Sequence, residues 1–269
     1  MLLPLRCPLC QDALALDATG AGCAQGHRFD RARSGYLNLL PVQHKHSRHP
    51  GDDAAMVAAR AAFLDAGHYG PLRSAVCEIL APLQPRVLVD SGCGEGWYTV
   101  ALARTAAATI AFDISKEAIK RAARRERALT WLVASSAEPP VRDGSVDVLT
   151  AIFSPLNAAA AARVVRAHGS VVVVAPAARH LWELRAALYD EVRPHQPDQW
   201  VHRLAPVFTR LSSTRVQYSL ALQDSAAVQA LLQMTPYVWQ APAAKRAAVA
   251  ALPALTVEVD VEILRFVHS

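Results

Sequence analysis

One stretch narrows the fold more than any other: Val87-Leu88-Val89-Asp90-Ser91-Gly92-Cys93-Gly94-Glu95-Gly96-Trp97-Tyr98. An apolar β-branched run closes on an acid, glycines follow at alternate positions, and Tyr98–Ala103 can continue as a helix. A strand, a tight glycine loop and a helix are the usual seat of a nucleotide-like cofactor, because glycine lets the backbone turn sharply and approach a ligand that a Cβ would push away. The spacing is Asp-x-Gly-x-Gly-x-Gly, and a bulky Trp97 stands where a dinucleotide fingerprint would continue. The loop therefore reads as a seat for S-adenosylmethionine, built on Asp90, Gly92, Gly94 and Gly96, rather than for the pyrophosphate of NAD. A tight strand-to-helix turn with no ligand is the competing reading.

Downstream, strands and helices alternate, which implies an α/β fold with a parallel sheet and right-handed crossovers. The second strand, Thr109–Phe112, closes on Asp113, about twenty residues after the glycines, where an acid can accept hydrogen bonds from both ribose hydroxyls. The third strand is expected at Thr130–Ala134, the fourth at Val146–Ile152 and the fifth at Ser170–Ala175. Ser135–Glu138 would then lie where an adenine sits, and the fourth strand would run out through Phe153-Ser154-Pro155 towards the cofactor's reactive end. Phe153 reads either as a stacking residue for a base or as core. Ala178–Glu183 is expected to open a helix, residues 190–206 to form an irregular insert, and Ser212–Leu222 with Thr256–Val267 a late antiparallel pair. Between them lie a helix, Ser225–Gln233, and the loop Met234–Trp239, whose Tyr237 and Trp239 are spaced to face one pocket or to pack in the core.

Upstream stands a second constellation, Cys7-x2-Cys10-x12-Cys23-x3-His27. Two close-spaced pairs of soft donors form two knuckles that together complete a tetrahedral site, and thiolate plus imidazole suits zinc. With all four positions filled by protein the site is structural. A segment of about 40 residues has little apolar mass to fold alone, so a metal staple is physically reasonable. Five cysteines in a chain with no signal-peptide core argue for metal over disulfides and place the protein in the cytoplasm. From Arg28 to Arg48, five Arg or Lys face one acid, Asp30, with histidines and aromatics between them, which suits either an RNA groove or a solvated linker. Helices are expected at Ala54–Ala66, Leu72–Leu83 and Lys116–Arg127. The division drawn is residues 1–45 as a zinc-binding RNA-recognition module, 46–70 as linker and helix, and 71–269 as the catalytic domain. The net charge of +5 permits a polyanionic partner, and no apolar run reaches the roughly 18 residues of a membrane span.

Several runs together resemble one family. They are the two knuckles, Tyr36-Leu37-Asn38-Leu39-Leu40-Pro41-Val42-Gln43-His44-Lys45, Asp65-Ala66-Gly67-His68-Tyr69, the glycine loop, Pro176-Ala177-Ala178-Arg179-His180-Leu181 and Met234-Thr235-Pro236. Their order is similar to the bacterial 23S rRNA (guanine-N1)-methyltransferases of the RlmA group, more to the branch typified by the Gram-negative enzyme than to the tylosin-resistance branch. The resemblance implies a Rossmann-like class I S-adenosylmethionine-dependent methyltransferase domain acting on hairpin 35 in domain II of 23S rRNA. It also implies one structural Zn2+ on Cys7, Cys10, Cys23 and His27, cofactor contacts from Tyr69, Gly94, Glu95 and His180, and Asp113 on the ribose. Ser91, Ala167-His168-Gly169 and Ser154-Pro155-Leu156 depart from the group's usual residues, and no side chain is singled out as a general base. A methyltransferase of another RNA or a small molecule, a non-catalytic RNA-binding zinc protein, and the neighbouring-guanine branch are the alternatives; a homodimer is left open.

Overall fold

The computed structural model describes residues 2–41 and 51–269, so residues 42–48 of the cationic stretch lie outside the described residues. The chain opens with a three-stranded antiparallel sheet of β1 (Leu14–Leu16), β2 (Gly20–Cys23) and β3 (Arg28–Asp30). The β1–β2 turn is tied by Asp17, whose carboxylate accepts the backbone N–H groups of Thr19 and Gly20 at 2.8 and 2.9 Å and pairs with Arg28. The Arg28 guanidinium holds the Asp17 carboxyl well below the usual carboxylate range. A two-residue strand, β4 (Leu37–Asn38), follows.

The larger unit begins with α1 (Ala54–Asp65), capped by Asp53, whose side chain accepts the Met56 N–H at 2.9 Å. Then come α2 (Gly70–Leu80), with Pro71 in its first turn, β5 (Val87–Ser91), α3 (Trp97–Leu102), β6 (Ala108–Asp113), α4 (Lys116–Arg125), β7 (Thr130–Val133), β8 (Val146–Ile152) and α5 (Ala158–Val164). The chain ends with β9 (Val165–Pro176), α6 (Trp182–Leu188), α7 (Gln199–Leu204), β10 (Phe208–Leu222), α8 (Ser225–Met234), α9 (Tyr237–Gln240), α10 (Ala243–Ala250) and β11 (Leu255–His268).

Eight strands make one sheet in the order β10-β11-β9-β8-β5-β6-β7-β4. Pairings from β4 to β9 are parallel, and β11 runs antiparallel to both β9 and β10. The strand order reverses between β5 and β8, which places the crevice for a ligand beyond their carboxyl ends. The β-branched runs are buried on both faces, as parallel strands between helical layers must be. One core joins Leu88, Val148 and Val174 to α2, α3, α6 and α8; a second joins Val89, Phe112 and Leu149 to α5, α7 and the ribbon residues Leu5, Leu14 and Leu37; a third joins Ala111, Trp131 and Cys93 to α4 and to Tyr36 and Leu40.

The ribbon is tied to the larger unit at both its ends, to the sheet at one and to the β7–β8 connection at the other. Leu37 and Asn38 pair in parallel register with Leu132 and Val133. Near the amino end Leu5 bridges Val141, Arg6 N–H donates to Pro140 at 3.0 Å, and Arg142 N–H donates to Pro4 at 2.9 Å.

Three local expectations are corrected. Residues 178–181 form a turn rather than a helix start: Leu181 is left-handed (φ +51°) and α6 begins at Trp182. The insert over 190–206 contains α7, anchored by the buried Trp200 and Leu204. The segment Met234–Trp239 is not a plain loop. Tyr237 and Trp239 sit two apart on α9, so helical geometry sends them to different sides. Tyr237 is half-buried against His195, with 2.9 Å between its Oη and Nε2, whereas Trp239 is 63% exposed.

Candidate active site and metal centre

The loop after β5 is built from both sides. Gly92 and Cys93 N–H both donate to the Phe112 carbonyl, at 2.8 and 3.0 Å, which bends the chain over the end of β6. Gly94 N–H donates to Asp113 Oδ2 at 2.9 Å, and Ser115 N–H to its Oδ1 at 2.8 Å. Asp113 thus stands at the tip of β6 with its carboxylate oriented by two amides, while burial pushes its carboxyl up. Asp90 is directed inward: its two oxygens accept the hydroxyls of Thr99 (2.6 Å) and Thr150 (2.7 Å), joining β5 to α3 and β8 beneath the loop. Trp97 is buried, with the Arg73 guanidinium 3.8 Å over its ring.

Of the alternating glycines, Gly92 and Gly96 are closed in by protein and Gly94 is open. A Cβ at Gly92 would lie 2.4 Å from Ser154 Cβ, and one at Gly96 2.6 Å from the Trp131 ring and 3.0 Å from Ala122 Cβ. At Gly94 the nearest atom is an Arg60 guanidinium nitrogen at 3.9 Å. Gly96 also has φ +82°, and Trp131 is fully buried, so neither partner can yield. Gly96→Ala is expected to destabilise the chain by roughly 2–4 kcal/mol through strain and overpacking. A denaturation midpoint equal to that of the wild type would disprove the packing account.

Facing the loop is an aromatic wall. Tyr69, at the start of α2, is buried with its Oη 3.5 Å from His180 Nε2. His180 Nδ1 accepts the Asp260 N–H at 3.4 Å, which assigns the remaining ring proton to Nε2. Burial pushes the His180 pKa down to about 3, so the ring is neutral and presents a donor. Phe153, the residue after β8, is left-handed (φ +51°), 39% exposed, and stacked on His180 with centroids 5.6 Å apart at 22°.

Behind the wall lies a clamp that sequence reading missed. Asp260 is fully buried; it accepts the Arg179 N–H at 2.9 Å and two N–H groups of Arg215 at 2.7 and 3.0 Å. It holds the 177–181 turn and hence His180. The available signal was the row Glu258, Asp260 and Glu262, acids at period two in an otherwise apolar strand.

At the mouth, α1 is laced across the loop. Arg125 on α4 pairs with Asp65 at 2.7 Å and approaches Glu95 Oε1 to 3.6 Å, too far for a hydrogen bond. Glu95 is buried with Oε1 lacking a hydrogen-bond partner among the described residues, and burial pushes its carboxyl up. Arg60 pairs with Asp52 and donates to the Met234 carbonyl at 3.2 Å. An open glycine, an oriented carboxylate and a buried carboxylate oxygen in need of a donor suit a ligand carrying hydroxyls and a cationic amino-acid end. S-adenosylmethionine has both, and when bound it supplies an activated methyl group.

Cys7, Cys10, Cys23 and His27 converge, their ligand atoms all within 4.8 Å of one another. The Cys10–Cys23 sulfurs are 3.6 Å apart, and His27 Nδ1 lies 3.6 and 3.5 Å from the sulfurs of Cys7 and Cys23. A tetrahedron with Zn–S near ~2.3 Å has edges of about 3.7 Å, so one ion fits with all four ligands from protein. Two turns shape the knuckles: Gln11 N–H donates to the Cys7 carbonyl at 2.9 Å, and Gly26 N–H to that of Cys23 at 3.0 Å. Between the ribbon and the loops after β7 and β8 runs a cleft of about 420 Å³, lined by Arg6, Leu40, Ser135, Asn157 and Arg163 among others.

Sheet order, glycine loop and acid-tipped β6 define a class I S-adenosylmethionine-dependent methyltransferase, here carrying an N-terminal zinc ribbon. The profile described as "RlmA, N-terminal" matches residues 5–48, and that of a methyltransferase domain matches residues 89–173. The chain is 35% identical to the 23S rRNA (guanine(748)-N(1))-methyltransferase of Streptomyces fradiae, over 87% of this chain and 85% of that protein. It is 32% identical to a Bacillus subtilis protein, over 96% of this chain and 95% of that one, and 36% identical to a Micromonospora griseorubida protein, over 98% of each. Both are provisionally named 23S rRNA (guanine-N(1)-)-methyltransferases. The chain belongs to this 23S rRNA (guanine-N1)-methyltransferase family. A solved Bacillus halodurans structure, provisionally described as a methyltransferase, shares the fold at 14% identity with a TM-score of 0.50, covering 72% of this chain and 97% of that one.

Proposed function

We propose that this chain transfers the methyl group of S-adenosylmethionine to N1 of a guanine in hairpin 35 of 23S rRNA. What carries the reading is that identity to the named relatives runs through the ribbon and the methyltransferase unit together, over 96% and 98% of the chain for two of them. In this reading Tyr69, Gly94, Glu95 and His180 contact the cofactor, Asp113 takes the ribose, and Asp90, Gly92 and Gly96 shape the loop beneath it. Cys7, Cys10, Cys23 and His27 hold zinc. Residues 1–45 grip the RNA, 46–70 connect, and 71–269 carry the chemistry.

Guanine N1 is buried in a base pair, so the target must be unpaired or flipped before it reacts. Bound S-adenosylmethionine would supply an already activated methyl group, so positioning would supply much of the rate; the S–CH3 bond would break as the N1–CH3 bond forms, and the N1 proton would pass to water. His180, neutral with its proton on Nε2, positions rather than accepts a proton. The S. fradiae relative is named for guanine 748, which keeps the neighbouring-guanine reading in play beside the branch suggested by the motifs. Among the described residues no helix is long and apolar enough to cross a membrane.

The test is incubation of the purified protein with labelled S-adenosylmethionine and a hairpin 35 transcript, followed by nucleoside mass spectrometry and primer extension. The expected product is 1-methylguanosine at one position, which identifies the branch. Methyl transfer to other RNA or to small molecules, with none to the hairpin alone or to ribosomal subunits, would overturn the proposal.

A further inference from the structure

We propose that Phe153 is the platform on which the target guanine stacks. The inference rests on the methyltransferase reading above and adds a substrate contact to it. Phe153 follows β8, at the carboxyl end beside the strand-order reversal, where this fold admits its ligand.

Three observations single it out. Its backbone is left-handed at φ +51°, a conformation that a bulky non-glycine residue adopts only at a cost of about 1–3 kcal/mol and that gathers at functional sites. That conformation is held from three sides: Phe153 N–H donates to the Val174 carbonyl at 3.0 Å, Ser154 Oγ donates to the Ser91 carbonyl at 2.6 Å, and Ser154 sits against Gly92 where no Cβ would fit. The ring so placed is only partly used for packing. It remains 39% exposed, backed on one side by the neutral His180 ring and with Tyr69 at 6.1 Å. A core phenylalanine would be buried, and glycine would take this backbone without strain. A strained turn that presents an apolar ring at the carboxyl end of β8 suits a planar partner with an exposed π face, such as a flipped purine, whose Watson–Crick edge stays free when the contact is through its face.

Strain and ring can be separated by two variants. Phe153→Gly suits the left-handed backbone but removes the ring; Phe153→Trp keeps a ring. With the full-length protein, S-adenosylmethionine Kd would be measured by calorimetry, and kcat/KM for the hairpin 35 transcript at saturating cofactor. Phe153→Gly is expected to leave the melting temperature close to that of the wild type and the cofactor Kd within about twofold, and to lower kcat/KM about 5- to 150-fold, the range that ~1–3 kcal/mol of base stacking converts to. Phe153→Trp is expected to retain most of kcat/KM. Unchanged kcat/KM in Phe153→Gly would overturn the proposal, and so would a loss explained wholly by weaker cofactor binding. If the wild type itself methylates no RNA, the reading beneath the inference falls, and the inference with it.

Discussion

Cys23→Ser is expected to release zinc and unfold the amino-terminal ribbon. Structural zinc binds zinc-finger peptides with an apparent ~10–16 kcal/mol, and where no preformed site exists that binding energy is folding energy. The ribbon itself offers little else: three strands of three or four residues and the Asp17–Arg28 turn. The damage is not expected to stop at the ribbon. Leu5, Leu14, Leu37 and Leu39 share a core with Phe112, Leu132 and Leu149, so a released ribbon uncovers one face of the sheet near β7. Hydrogen exchange with metal analysis reads both events. The expected result is loss of zinc, loss of amide protection over residues 5–31, and faster exchange in β7. Zinc loss with undiminished protection over 5–31 would show that packing alone folds the ribbon. Zinc retained in both Cys7→Ser and Cys23→Ser would rule out the four-ligand site.

Asp113→Ala is expected to weaken S-adenosylmethionine binding by at least about 100-fold. Hydrogen bonds to a charged acceptor contribute ~1.5–3 kcal/mol each, and the ribose offers two hydroxyls. The substitution also leaves Gly94 and Ser115 N–H without their shared acceptor, so the loop loses its orientation as well as its ligand contact. Asp113→Asn keeps the shape and one acceptor oxygen and is expected to fall between the two. Titration calorimetry decides it, and an unchanged Kd in Asp113→Ala would make the ribose assignment wrong.

The sheet was legible because its signals are local. The runs Val87–Val89, Val146–Ile152 and Val171–Val174 are β-branched and bounded by turns, and they sit at the centre of the sheet, where burial on both faces demands continuous apolarity. Asp113 at a strand tip and the metal ligands were legible for the same reason: their partners lie within a short span of chain or a fixed spacing. What stayed hidden depends on distant partners. Leu37–Asn38 reads as part of a cationic stretch, suited to an RNA groove or a solvated linker, until Leu132 and Val133 are beside it. Asp260 goes unremarked in the strand expected at Thr256–Val267, because Arg215, Arg179 and His180 converge on it only in the fold. The left-handed turns at Phe153 and Leu181 carry no glycine to announce them; both are imposed by hydrogen bonds from neighbouring strands, Phe153 N–H to Val174 and Leu181 N–H to Glu258. Asp90 was legible as part of the loop, but not as a buried strut, because its hydroxyl partner Thr150 lies on another strand.

The double attachment of the ribbon also orders events in time. During synthesis the ribbon's ligands emerge first, and zinc can fold them as soon as His27 is free of the ribosome. β4 then has no partner until Leu132 is made, about 95 residues later, and the bridge from Leu5 waits longer, for Val141. A metal-loaded nascent ribbon must therefore wait with an unpaired strand edge and a bare apolar side until β7 arrives, so the stage at which the chain is most exposed to mispairing falls between the synthesis of β4 and that of β7, and a slowing of translation there would lengthen that interval.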